Sequence, residues 1–479
     1  MPQSSLYWYD YETFGVDPRR DRPVQFAGIR TDHELNIIGE PLVLYCRPSD
    51  DFLPNPEACL ITGITPQKAL AEGVPEAEFI GRIHEEISRP QTCLVGYNNI
   101  RFDDEVTRFT LYRNFFDAYA HEWQNGNSRW DIIDVVRLAY ALRPEGIHWP
   151  QHEDGKPSFR LDQLTAANNI SHASAHDALS DVLATIELAK LIREHQPRLY
   201  DYVFAHRSKQ RLMELLRLDY SMPVLHVSSM YSTELGCIAL VLPLAMHPNN
   251  KNEVLVYDLR IDPQLFLTLN AEEIQTRIFT READLAEGCQ RLPIKSIHIN
   301  KSPVVVPANT LTPEAAKKWN IEPQTAEKYR QILANAPQFI RNLQSVYAER
   351  HFESTSDPDF MLYEGGFFSN NDRERMEIVR RSSPDELAEL GLLFDDGRLS
   401  EMLFRYRARN YPQTLDEKEK QNWLDFRRHR LMETDGKCLS YDDFRAQTIN
   451  LRETDNITPA QNEILNAVED YAKQLIAGL

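Results

Sequence analysis

The chain has 479 residues, 42% of them hydrophobic and 26% charged, which is an ordinary globular composition and long enough for about three domains. Its formal charge of −19 argues against an overall basic nucleic-acid footprint, although a cleft can be locally basic inside an acidic shell. Six cysteines without a C-x-x-C pair argue against zinc and disulfide frameworks, and no window approaches the ~20 apolar residues of a membrane span. The opening "MPQSSLYWYD" lacks the basic and apolar regions of a signal peptide, so a cytoplasmic protein with no membrane association is expected.

Residues 6 to 47 read as a β-meander: "LYWYDYETF", "VQFAGIRTD" and "IGEPLVLYC" are β-rich runs separated by turn-forming stretches. A helical pattern follows from about Pro66 to Ser88, and "TCLVGYNN" then reads as a short apolar strand ending in a turn. "DDEVTRFTLYRNFF" and "DIIDVVRLAYAL" have helical spacing, and "AHDALSDVLATIELAKLIREH" is a long helix. Strands alternating with helices predict an α/β domain with a mixed sheet over residues 1–195. Strand-like runs "VLHVSSM", "CIALVLPLAM", "EVLVYDLR" and "IKSIHIN" predict a partly β domain over 197–350. From 353 to 479 the pattern predicts a helical domain.

Three places in the first domain hold carboxylates worth weighing. Asp10 and Glu12 are two apart in a strand and therefore share a face, where their repulsion calls for a cation unless both simply face solvent. A hard oxygen-seeking ion such as Mg²⁺ or Mn²⁺ suits such a pair. Asp103 stands at a strand-to-helix junction in "GYNNIRFDDEVTR", where capping the helix is the simpler role for it or for Asp104. In "SHASAHDALSDVL", Ser174 or Asp177 is placed to cap the helix and Asp181 lies in its second turn. His176, five residues before Asp181, belongs on the loop entering that helix, where ordinary surface exposure is the bland alternative.

Taken in order, D-x-E on the first strand, N-x-x-F-D at the junction and H-x-x-x-x-D opening the late helix resemble the DEDDh 3′→5′ exonucleases. The acids are then Asp10, Glu12, Asp103 and Asp181, and the histidine is His176. The likeness extends to the bacterial exodeoxyribonuclease I family through "DYETFG", "RPVQFAGIRTD", "LITGITPQ", "GYNNIRFDDEVTR", "NSRWDIIDV", "PSFRLDQLT" and "HDALSDVLATI". "HINKSPV", "ANTL" and "YRARNYP" carry it into the later domains, leaving only the final stretch unmatched.

That resemblance implies an RNase-H-like exonuclease domain, an SH3-like middle domain and a helical C-terminal domain. It implies processive 3′→5′ hydrolysis of single-stranded DNA to 5′-mononucleotides by a two-metal mechanism, in DNA repair and recombination. Two Mg²⁺ ions, with Mn²⁺ as a substitute, would sit on the four acids, Asp10 bridging them, and His176 would be the general base. Arg108, Tyr119, Trp123, Arg137, Arg143 and Arg160 would contact DNA, with Arg160 near the scissile phosphate. Glu12, Thr13 and Phe14 would seat the terminal nucleotide. The acidic tail of single-stranded DNA-binding protein is the implied partner, and a monomer the implied state. The residues themselves leave two alternatives: an exoribonuclease of the same type, and a catalytically silent DNA-binding scaffold.

Overall fold

In the computed structural model, which describes residues 4–172, 176–349, 355–433, 438–453 and 457–479, the aromatic run near the start forms a nine-residue strand, β1 (Ser5–Thr13). Aromatic side chains suit a pleated buried surface, and every residue of β1 is buried except the half-buried Asp10. β2 (Pro23–Thr31) pairs antiparallel with β1, setting Ala27 opposite Asp10 and Gln25 opposite Glu12. β3 (Leu42–Tyr45) adds antiparallel to β2, which completes the expected meander. β4 (Thr92–Gly96) lies on the other flank of β1 and runs parallel to it.

A parallel neighbour requires a crossover. Three helices supply it, at Pro56–Thr62, Pro66–Glu72 and Glu76–Ile87. The single helical stretch read from Pro66 to Ser88 is in fact interrupted at Gly73. A Cβ there would meet the Ala69 carbonyl oxygen at 2.3 Å and the Arg47 nitrogen at 2.7 Å, so the chain turns where only glycine fits. β5 (Ser128–Asp131), a strand that helical periodicity hides, precedes the helix Ile132–Leu142 and carries the chain from one compact unit into the next.

Those two units do not follow chain order. The described residues of 1–128, 172–183 and 354–479 form one, and those of 129–171 and 184–353 form the other. Within the first unit, Phe14, Val24, Phe52 and Leu53 share a buried cluster with Leu431, Phe444, Val468 and Tyr471. Phe109, Tyr112 and Phe115 do the same with Met376, Val379, Leu399 and Tyr406. At ~1.5–3 kcal/mol for each large apolar side chain buried, these clusters make the C-terminal helices part of the frame that carries β1.

In the second unit β6 (Val224–Val227), β7 (Ile238–Met246), β8 (Glu253–Asp258), β9 (Ile294–His298) and β10 (Val304–Pro307) form an antiparallel sheet in the order β10-β6-β7-β8-β9. Four of these strands are the expected runs; β10 is the additional one. The β7–β8 register shifts between Pro243 and Ala245, as expected where a proline without an N–H enters a strand. The regular elements described beyond residue 355 are all helical, as read from the pattern.

Candidate active site

β1 aims Asp10 and Glu12 from one face of the sheet, and two other segments of the first unit bring the remaining groups to them. Asp103 opens the helix Asp103–Arg113. The N-cap position there is Phe102 and makes no side-chain cap, so Asp103 is not committed to capping. Instead its Oδ1 accepts from the backbone N–H of Tyr11 at 3.0 Å, the residue between the two strand acids. Its neighbour Asp104 accepts from the Tyr9 hydroxyl and, at 3.4 Å, from Asn99 Nδ2. Of the two adjacent aspartates, the first serves the cluster and the second holds the junction to the sheet.

The third segment enters the helix Ala178–His195. Asp177 Oδ1 accepts from the Ser180 N–H at 3.2 Å, which is the capping expected of it; Ser174 lies outside the described residues. His176 adopts a positive φ of 66°, a conformation that costs a non-glycine residue ~1–2 kcal/mol and clusters at functional sites. The ligand atoms of Glu12, His176 and Asp181 all lie within 4.8 Å of one another. Residues separated by more than 160 positions thus converge.

The electrostatics follow from that crowding. Burial pushes the Glu12 carboxyl up to about 9, reinforced by the charges of Asp181, Asp103 and Asp177. Asp10 is raised well above the carboxylate range by burial, then by Asp103, Glu12 and Asp181. Asp181 is raised by burial and partly restored by His172, whose Nε2 lies 2.5 Å from Asp181 Oδ1. Carboxylates that repel one another to this degree form a site for cations, and an all-carboxylate set with one imidazole matches a hard divalent ion.

The expected DNA contacts fare unevenly. Trp123 is 65% exposed, and Arg160 is exposed and pairs with Asp162 at 3.1 Å. Tyr119 is half-buried with the Arg108 guanidinium 5.5 Å from its ring. Arg143 donates to the carbonyls of Leu142 and Thr310. Arg108 and Arg137 are held by neighbouring acids. Arg108 is buried with Nε 2.6 Å from Glu122 and Nη1 2.7 Å from Glu105, and Arg137 is buried with Nη1 2.6 Å from Asp134. Phe14 is fully buried, 5.9 Å from the Phe52 ring. Thr13 is buried with its hydroxyl on the Gly15 carbonyl at 2.6 Å.

Comparison with known proteins meets this geometry directly. Residues 7–189 match the family model described as exonuclease, residues 207–349 the exonuclease I SH3-like domain and residues 356–475 the exonuclease I C-terminal domain. Exodeoxyribonuclease I of Escherichia coli is 50% identical over 427 residues, 89% of this chain and 90% of that protein. The chain belongs to the exodeoxyribonuclease I family. The Haemophilus influenzae member is 44% identical over 474 residues, covering 98% of this chain and 99% of its own. A moderately thermophilic exonuclease I from Methylocaldum szegediense superposes with a TM-score of 0.94 at 50% identity, over 99% of this chain and 100% of that one. E. coli exonuclease I in complex with a dA16 oligonucleotide superposes with a TM-score of 0.93 at 46% identity, again over 99% and 100%. The fold is therefore that of an exonuclease domain with a mixed sheet, an SH3-like domain and a helical C-terminal domain, and the protein is an enzyme of this family.

Two residues of the site, and a second role for a third, escape sequence reasoning. His172 looks like any polar loop residue until the fold sets it on Asp181. Gln25, buried opposite Glu12, donates to Asp177 Oδ2 at 3.1 Å and accepts from the Ala178 N–H at 3.3 Å, tying the histidine-bearing turn to the sheet. Asp177 itself adds charge to the cluster as well as capping its helix. An uncharged glutamine in a strand gives no local signal of such a role.

Proposed function

We propose that this protein digests single-stranded DNA processively from its 3′ end to 5′-mononucleotides, with two Mg²⁺ ions on Asp10, Glu12, Asp103 and Asp181 and His176 as general base. The observation that carries the reading is the convergence of Glu12, His176 and Asp181 ligand atoms within 4.8 Å, beside a second pair of repelling carboxylates. Two divalent ions, when bound, neutralise phosphate charge and make water a stronger acid. Mn²⁺ suits the same donors.

His176, carried on a turn that Gln25 ties to the sheet, takes the proton of the attacking water. Arg160 offers its exposed guanidinium to the scissile phosphate. Trp123 offers an exposed indole for an unpaired base, and Tyr119 a second ring. That the E. coli enzyme is seen with dA16 and dT13 oligonucleotides supports the choice of single-stranded DNA. The matched models support a working division at 1–195, 197–350 and 353–479. In keeping with its family, the protein acts as a cytoplasmic monomer in DNA repair and recombination and docks the acidic tail of single-stranded DNA-binding protein. Among the described residues no helix is long and apolar enough to cross a membrane.

The test uses 5′-labelled single-stranded DNA and RNA of one sequence, each with Mg²⁺ and with EDTA. Stepwise shortening of DNA from the 3′ end with Mg²⁺ alone is expected. Digestion of RNA only would select a ribonuclease instead, and no metal-dependent shortening of either would leave a DNA-binding scaffold.

A further inference from the structure

Gln25 lies on β2 directly across the ladder from Glu12 and is 1% exposed, too buried to touch substrate. Its hydrogen bonds run to three other segments. Nε2 donates to Asp177 Oδ2 and to the Tyr45 hydroxyl, each at 3.1 Å, and Oε1 accepts from the Ala178 N–H at 3.3 Å.

Those partners dictate the side chain. An ionised Asp177 can only accept and the Ala178 N–H can only donate, so a residue that serves both must do both. A carboxylate in its place would face Asp177 with a second negative charge. An ammonium or guanidinium would leave the Ala178 N–H unpaired. The amide answers both, and Tyr45, at the end of β3, gives its Nε2 a second acceptor that holds it the same way round. The Tyr45 ring is in turn covered by the Lys68 ammonium, 4.8 Å from its centre, from the helix Pro66–Glu72.

What this arrangement holds is the turn before the helix Ala178–His195. Asp177 Oδ1 takes the Ser180 N–H at 3.2 Å while Oδ2 takes the Gln25 amide, so one carboxylate joins the start of the helix to the sheet. His176 immediately precedes it, at its positive φ of 66°. Such a conformation persists only where the surroundings over-determine it. Anchored at Asp177 and Ala178, the turn brings the His176 ligand atom within 4.8 Å of those of Glu12 and Asp181. The β1–β2 register thus sets opposite Glu12 the residue that fixes how far the imidazole stands from it.

We propose that Gln25 is a positioning residue for His176: through Asp177 and Ala178 it fixes the imidazole beside the acids, and Tyr45 steadies the amide. This rests on the reading of His176 as general base. Displacing a catalytic group by ~1 Å can cost ~10²-fold in rate, so loss of Gln25 acts on turnover and not on DNA affinity.

The test is a double-mutant cycle in the full-length protein on 5′-labelled single-stranded DNA with saturating Mg²⁺. Gln25→Met keeps the side chain's bulk and removes its donor and acceptor. It should lower kcat roughly 10–100-fold with DNA affinity unchanged. In a His176→Ala background the same change should lower kcat by no more than about twofold. In metal-free protein, hydrogen exchange of the peptide carrying Ala178 should quicken about tenfold. If Gln25→Met does not fold, Tyr45→Phe decides. It loosens the amide without touching the turn and should lower kcat about fivefold, the usual effect of one hydrogen bond, in the wild type and not in His176→Ala. An unchanged kcat, equal falls in both backgrounds or unchanged exchange at Ala178 would overturn the proposal and leave His176 as the base. His176→Ala at the wild-type rate would instead overturn the base, and this proposal with it.

Discussion

The Asp103 carboxylate accepts a hydrogen bond from the Tyr11 backbone N–H at 3.0 Å, which draws it to the strand between Asp10 and Glu12. Asp103→Asn keeps an acceptor for that N–H and removes the charge. It is expected to fold normally, while activity falls by more than the ~10–100-fold typical of losing an outer-shell partner. Asp104→Ala should instead strip the buried Tyr9 hydroxyl and Asn99 of their partner and cost ~1–3 kcal/mol by urea denaturation.

The metal-free protein should lose stability as pH rises, through Glu12. Folded Glu12 is pushed up to about 9, against an ordinary 4.5, so between these values the folded chain keeps a proton that the unfolded chain releases. The contribution is fully present below about 4.5, declines as pH rises and is lost above about 9. In EDTA, the Tm of the wild type should therefore fall more steeply across this window than that of Glu12→Gln, and Mg²⁺ should flatten it. Equal slopes for the two proteins would count against the crowded cluster.

A buried network of arginines and aspartates predicts where the first unit is most fragile. Despite burial, Arg409, Arg405 and Arg430 hold Asp359 far below the carboxylate range. Asp359→Ala leaves all three without that partner and should cost ~3–5 kcal/mol in urea denaturation. Glu417→Ala, removing an exposed i,i+3 pair with Lys420, should change stability by no more than about 0.5 kcal/mol.

Arg108 and Arg160 should differ in what their loss costs the fold. Arg108→Ala leaves Glu105 and Glu122 without their buried cation and is expected to lower stability by about 3 kcal/mol or more. Arg160→Ala should leave Tm unchanged, weaken DNA binding and reduce the slope of log K against log salt by about 0.7, the share of one single-strand phosphate contact. Fluorescence anisotropy across a salt series reads the second effect.

The candidate set is legible because each member sits at a locally recognisable place: alternation in β1, a strand-to-helix junction, and the start of a periodic helix. The strands of both sheets follow the same logic, except β5, which runs straight into the helix Ile132–Leu142, and β10, which runs straight into the helical turn Ala308–Thr310. What local pattern does not carry is pairing across hundreds of positions. Phe14 beside Val468, or Asp51 beside Arg409 and Arg430, depends on the C-terminal helices joining the first unit. For the same reason the ion pair of Arg108 with Glu122 has no local signal in the sequence. Arginine's apolar stem and charged head suit core edge and groove alike.

The most direct test of the central claim is the turnover of His176→Ala on 5′-labelled single-stranded DNA with saturating Mg²⁺, measured beside its DNA affinity. The account predicts a fall in turnover of ~10²–10⁴-fold, the usual contribution of a general base, with DNA binding retained. Turnover at the wild-type rate would contradict it.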